Sequence, residues 1–183
     1  MTPSSSYVEL PAGADPLLGI EAVWLSLAKQ ASDHRVLPDG RCDIILRFCA
    51  STVPIRRISV VVTGPTTAHY DVAVEPGMGF AGIRLRPGFF QCILGFKPIY
   101  LREQTLVDDA AISACPPLAT LCAKTDTPEV LPDRLISFVR SRISQAHALL
   151  PGQTRRILSA FHASSGRLPV QDIAQMHGLS ART

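Results

Sequence analysis

Several things are scarce or missing in this chain, and each absence narrows what it can be. The five cysteines, Cys42, Cys49, Cys92, Cys115 and Cys122, are odd in number and form no Cys-x-x-Cys pair. That argues against a disulfide framework and a zinc knuckle, and fits a reducing compartment. No apolar run approaches the roughly 18 residues of a membrane span. The opening MTPSSSYVEL also has no basic-then-apolar leader. The expectation is a soluble cytoplasmic chain with no membrane partner. The histidines, His34, His69, His147, His162 and His177, are scattered, so no metal site emerges. No G-x-S-x-G elbow exists, and no catalytic residue or cofactor is expected. There is no internal repeat and no low-complexity segment.

What is present is a globular composition, 46% hydrophobic and 18% charged over 183 residues, which suggests one full domain and a smaller piece. The net charge is only +3, yet it is unevenly placed. From Arg134 onward seven arginines oppose one acid, Asp172, a balance of +6, so the first 133 residues carry −3. A phosphate-facing tail has such an asymmetry; a solvated basic helix surface has it too.

Read in order, Gly19 to Leu27 fits a strand, with a helix as competitor. The run HRVLPDGRCDIILRFC predicts a hairpin: Pro38-Asp39-Gly40 has turn chemistry, and His34–Leu37 and Arg41–Cys49 flank it. In the second arm Cys42, Ile44, Leu46 and Phe48 alternate with Asp43, Ile45 and Arg47, which marks one face as core. Ile58–Thr63, His69–Val74 and Phe80–Arg86 complete six strand candidates, closed by Gly-Pro or Pro-Gly pairs. Gly77, Gly79 and Gly82 match G-x-G-x-x-G but run into a strand and then a proline, which is the wrong context for a phosphate loop. Phe89–Leu94 predicts one or two helical turns stopped at Gly95.

Helices follow from about Asp109. Asp133 is placed to cap a helix whose Leu135, Phe138, Val139, Ile143, Ala146 and Leu150 form an apolar stripe. Thr154 is placed to cap another, ending near Gly166. In Arg167–Thr183, Val170, Ile173, Ala174 and His177 repeat at helical spacing, Gly178 supplies a left-handed turn, and Ser180 suits a new N-cap. This is the pattern of a helix-turn-helix, and equally of an ordinary helical hairpin.

Three stretches in this order, HRVLPDGRCDIILRF, GFAGIRLRPGFFQCILG and RLPVQDIAQMHGLSART, resemble a branch of the AraC family of bacterial transcription regulators. The resemblance covers about Gly19 to Thr183. It implies a ligand-sensing or dimerising N-terminal domain and a C-terminal domain with two helix-turn-helix units. Ser180, Arg182 and Thr183 match the start of the first DNA-reading helix. The rest of that helix and the second unit would lie beyond Thr183, so the expectation is a truncated DNA-binding domain.

The expected fold is α+β: an antiparallel β-barrel or sandwich, cupin-like, over 1–128, a linking helix over 129–151 with possible dimer contacts, and the start of a helix-turn-helix domain over 152–183. The expected function is a DNA-binding regulator, not an enzyme, with DNA, a small-molecule effector and a second copy as partners. His34, Arg84 and Arg86 are the candidate ligand contacts, against the alternative that they only form surface ion pairs. The competing functions are a stand-alone small-molecule-binding or isomerase-like barrel and a dimerising inhibitor fragment.

Overall fold

The computed structural model describes residues 5–10, 19–123, 127–145, 152–164 and 167–180. The chain divides into two compact units, Met1–Gln145 and Ala146–Thr183.

The first unit is mixed α+β. Eight strands are present among the described residues: β1 (Ser5–Leu10), β2 (Ile20–Ala28), β3 (Ser32–Val36), β4 (Cys42–Cys49), β5 (Ile58–Thr63), β6 (Tyr70–Val74), β7 (Met78–Leu85) and β8 (Thr105–Val107). Six make an antiparallel sheet in the order β1-β2-β7-β4-β5-β8, while β3 and β6 pair separately. The helices are α1 (Phe90–Leu94), α2 (Asp109–Ala114) and α3 (Leu131–Gln145), with a 3-10 stretch at Pro116–Cys122.

The period-two pattern of β4 decides the layers. Ile44, Leu46 and Phe48 are buried, as are Ala81, Ile83 and Leu85 of β7 and Val60 and Val62 of β5. They form one core with Ile93, Leu94, Leu118, Leu121, Leu135, Phe138 and Val139, so the helical segments cover this face. Each fully buried aliphatic side chain contributes roughly 1.5–3 kcal/mol. Cys42 is part of this core, and burial pushes its thiol up to about 12, with Asp43 and Asp39 adding to the effect. Cys49, exposed on the other face at the strand's end, is lowered instead by hydrogen bonds from Ser51. All five cysteines are free of disulfides.

Three expectations need correction. The sheet is not a closed barrel: β1 and β8 are its edges, and no described residues pair them. The strands flanking Pro38-Asp39-Gly40 are not hairpin partners. β4 pairs with β5 and β7, and β3 pairs with β6. The turn residues reverse the chain, but the apolar face of β4 is buried by pairing with equally apolar strands, which polar β3 cannot supply. The helix expected from Asp133 begins at Leu131, with Asp133 inside its first turn; the part of that expectation at 146–150 lies outside the described residues.

Two of the glycines in the apparent G-x-G-x-x-G sit within β7, where each admits an aromatic ring. A Cβ on Gly79 would lie 2.3 Å from the Phe48 ring, and one on Gly82 would lie 2.2 Å from the Trp24 indole. They are packing glycines.

In the second unit α4 (Gly152–Ala163) and α5 (Val170–Met176) pack together, with Ile157, Leu158 and Phe161 half-buried and Ile173 and Ala174 buried. Gly178 has φ +67°, and the Leu179 amide donates to the Ala174 carbonyl at 2.8 Å, closing the helix as a left-handed glycine does. Val170 is 58% exposed rather than on the buried face, because it opens the helix directly after Pro169.

Candidate functional site on the second face of the sheet

The face turned away from the helical core is read directly from strand register, since residues directly opposite one another share a face. Across the middle run Glu9, Trp24, Gly82, Ile45 and Val61; beside them run Ala22, Arg84, Asp43 and Thr63. From Trp24 to Val61 the first row is apolar, with Glu9 at its edge, and the neighbouring row carries the Arg84–Asp43 charges.

Trp24 is the only tryptophan in the chain. Its indole lies across Gly82, and Tyr7 of edge strand β1 leans on it at 6.1 Å between ring centroids, tilted by 30°. The Tyr7 hydroxyl donates to Glu9 Oε2 at 3.2 Å. Burial, then Glu9, raises the Tyr7 phenol above its ordinary value. Tyr70, at the start of β6, is raised by burial and then by Asp43 and Asp39, which brings the two-stranded sheet within electrostatic reach of this charged row. Both phenols therefore remain hydrogen-bond donors at neutral pH.

Arg84 organises the charges. Its Nε and Nη2 donate to Asp43 Oδ1 and Oδ2 at 3.2 and 3.3 Å, and its Nη1 lies 3.3 Å from Asp39 Oδ2. Asp43 is fixed in turn by its strand neighbour: its amide donates to Thr63 Oγ1 at 3.1 Å. Arg41 Nε lies 2.7 Å from Glu21 Oε2, which has no other polar partner. Glu21 occupies the register slip between Ile20 and Ala22, so an irregularity in β2 delivers this carboxylate to the cluster.

The two partners of the central pair respond differently. Burial works against the Arg84 charge, but Asp43, Asp39 and Glu21 outweigh it and hold the guanidinium above its ordinary value. At Asp43 burial wins over the Arg84 hydrogen bond, and the carboxyl is raised. The asymmetry has a cause: Arg84 is shared between two aspartates, so neither acid has a full counter-charge, and Asp39 and Glu21 also repel Asp43.

The candidate ligand residues are thus dispersed. Arg84 is central to the cluster. Arg86 lies just past β7 and donates through Nε to the Ile20 carbonyl at 2.9 Å, which ties two strand ends together. His34 stands exposed on β3, opposite Val72. On sequence, Asp43 reads either as a ligand contact or as an ion-pair partner, the latter leading, and it pairs with Arg84. Trp24, Tyr7, Asp39 and Tyr70 are not singled out as ligand contacts, and the signal that could have found them is the rarity of tryptophan opposite a strand glycine. Among the described residues no group of three metal-ligating side chains is gathered. Of the three candidate DNA contacts, Ser180 is exposed directly after Leu179, and Arg182 and Thr183 lie outside the described residues. As for dimer contacts, Leu135, Phe138 and Val139 of α3 face the core, and its exposed positions are polar: Asp133, Ser137, Arg140, Ser141, Ser144 and Gln145.

Residues 18–106 carry a domain that matches a family described as Domain of unknown function (DUF6597). The matched segment takes in the Pro38-Asp39-Gly40 turn, the Arg84–Gly88 motif and the whole charged row; it ends before the helical tail. No curated protein and no solved structure matches the chain. No helix among the described residues is long and apolar enough to cross a membrane.

Proposed function

We propose that the chain is the sensor part of an AraC-type transcription regulator, joined to the beginning of its DNA-reading domain. The sensor would be cupin-like in the sense of a curved sheet with one packed face and one ligand-facing face. The observation that carries the reading is the end of the second unit. There a buried Ile173-Ala174 pair, a left-handed Gly178 and the Leu179 amide bound back to Ala174 end α5 in a tight turn, which supports a helix-turn-helix reading. Residues 146–183 carry four arginines, Arg155, Arg156, Arg167 and Arg182, against one acid, Asp172, a balance of +3 that favours contact with phosphates.

In this reading a small effector settles on Trp24 beside the Arg84–Asp43 pair and shifts the population of states in which the DNA-reading units are placed for an operator. The regulator acts as a homodimer in the cytoplasm. The test is anisotropy with labelled duplex from upstream of the protein's own gene, using the chain together with whatever its gene encodes after Thr183. The expected result is binding that weakens steeply with salt. Absence of binding at low salt would overturn the reading. The charged and aromatic second face favours one other function, a stand-alone small-molecule-binding domain; ligand-induced change in Trp24 fluorescence without any DNA binding would select it.

A further inference from the structure

We propose that the groove between the Pro116–Cys122 stretch and α3 is a separate binding site for a small organic oxyanion with an apolar body. It lies against the helical layer and depends on neither the second face of the sheet nor the regulator reading.

The cavity measures about 580 Å³, within the roughly 300–1,000 Å³ typical of small-molecule sites. Pro117, Leu121 and Phe138 form its apolar wall, and Thr120, Ser137 and Ser141 bring hydroxyl groups. Among the described residues its charged lining side chains are Arg134 and Arg142, and no described carboxylate lines it.

Arg142 is the anchor. It is half-buried, and its Nε donates to the Ile93 carbonyl at 2.7 Å while Nη1 reaches Gln145 Oε1 at 3.5 Å. Both partners are neutral. Arg35, Arg41 and Arg84 each lie against a carboxylate, but Arg142 has none, and its Nη2 has no partner among the described residues. A guanidinium whose plane is already fixed, partly desolvated and without a counter-charge is prepared for the paired acceptors of a carboxylate or phosphate. Ser137 and Ser141, one turn apart on α3, can donate to the same oxyanion. The apolar wall then requires a hydrocarbon or aromatic body on the ligand rather than a bare inorganic ion.

The experiment is calorimetric titration of the full chain with phenyl phosphate and with phenylacetate, against neutral 2-phenylethanol. At least one anion is expected to bind about tenfold or more tighter than the alcohol. The better of the two identifies the head group as phosphate monoester or carboxylate. Arg142→Gln is expected to weaken the anion about tenfold. Ser141→Glu, a change at an exposed helix position, is expected to do the same with the melting temperature retained, and it decides the matter if Arg142→Gln fails to fold. Equal binding of alcohol and anions, anion binding unchanged in Ser141→Glu, or no anion binding up to roughly 10 mM would each overturn the proposal.

Discussion

Two arginine–aspartate pairs in the first unit have the same donor pattern and opposite electrostatics. On the two-stranded sheet, Arg35 Nε and Nη2 donate to Asp71 at 2.9 and 3.0 Å; on the six-stranded sheet, Arg84 uses the same two nitrogens toward Asp43 at 3.2 and 3.3 Å. Asp71 is lowered, chiefly by its hydrogen bond to Arg35, while Asp43 is raised by burial in spite of its arginine. Side-chain exposure is 45% at Asp71 and 15% at Asp43. The shorter, better-formed pair lies in solvent and contributes little. The longer, shared pair lies where desolvation governs the charge. A site built to exchange its internal partners for a ligand's needs the second arrangement, because a half-compensated carboxyl still gains from a new donor.

The largest expected effect comes from breaking the buried pair. Asp43→Asn removes the bidentate partner of a half-buried guanidinium and is expected to cost about 1–3 kcal/mol. Asp71→Asn, at a solvent-exposed pair, is expected to leave stability almost unchanged. Urea unfolding of the two variants measures both, and equal losses would remove the distinction.

Next comes the platform beside the pair. Gly82→Ala would place a Cβ 2.2 Å from the Trp24 indole, so the ring must swing off the sheet. The expected outcome is a red-shifted emission from the sole tryptophan with a stability loss of roughly 1–3 kcal/mol. An unshifted spectrum would mean that the indole does not rest there.

The smallest effect is in pH dependence, where the two acids have opposite signs. At Asp71 the folded-state value is depressed, so its contribution is present above the ordinary 3.8 and is lost as pH falls below it. At Asp43 the folded-state value is raised above 3.8, so the folded state binds its proton more readily. Its contribution therefore grows as pH falls through that window and is lost as pH rises. In Asp43→Asn the acid side of the stability profile is expected to steepen, as measured by melting temperature between about pH 3 and 6.

How far the sequence discloses this arrangement depends on the range of the interaction. β4 is legible because Ile44, Leu46 and Phe48 alternate with polar neighbours, and α1 because Gly95 stops it. Strand β1, Ser5–Leu10, is hidden: its polar start does not alternate strongly, and an edge strand needs no strongly buried face. The partner of β3 is not legible either, since turn residues report that the chain reverses and not which strand it meets. Arg84 was legible as a candidate, but its meeting with Asp43 depends on the β4–β7 register across 41 residues, which local pattern does not contain. Arg86, two residues on, looked equivalent in spacing; the end of β7 at Leu85 gives it a purely structural bond instead.

The measurement that bears most directly on the claim that burial outweighs pairing at this site is a carboxyl-carbon NMR titration of Asp43 and Asp71 in the folded chain. The account predicts that Asp43 titrates above 3.8 and Asp71 below it. Both values falling on the same side of 3.8 would contradict it.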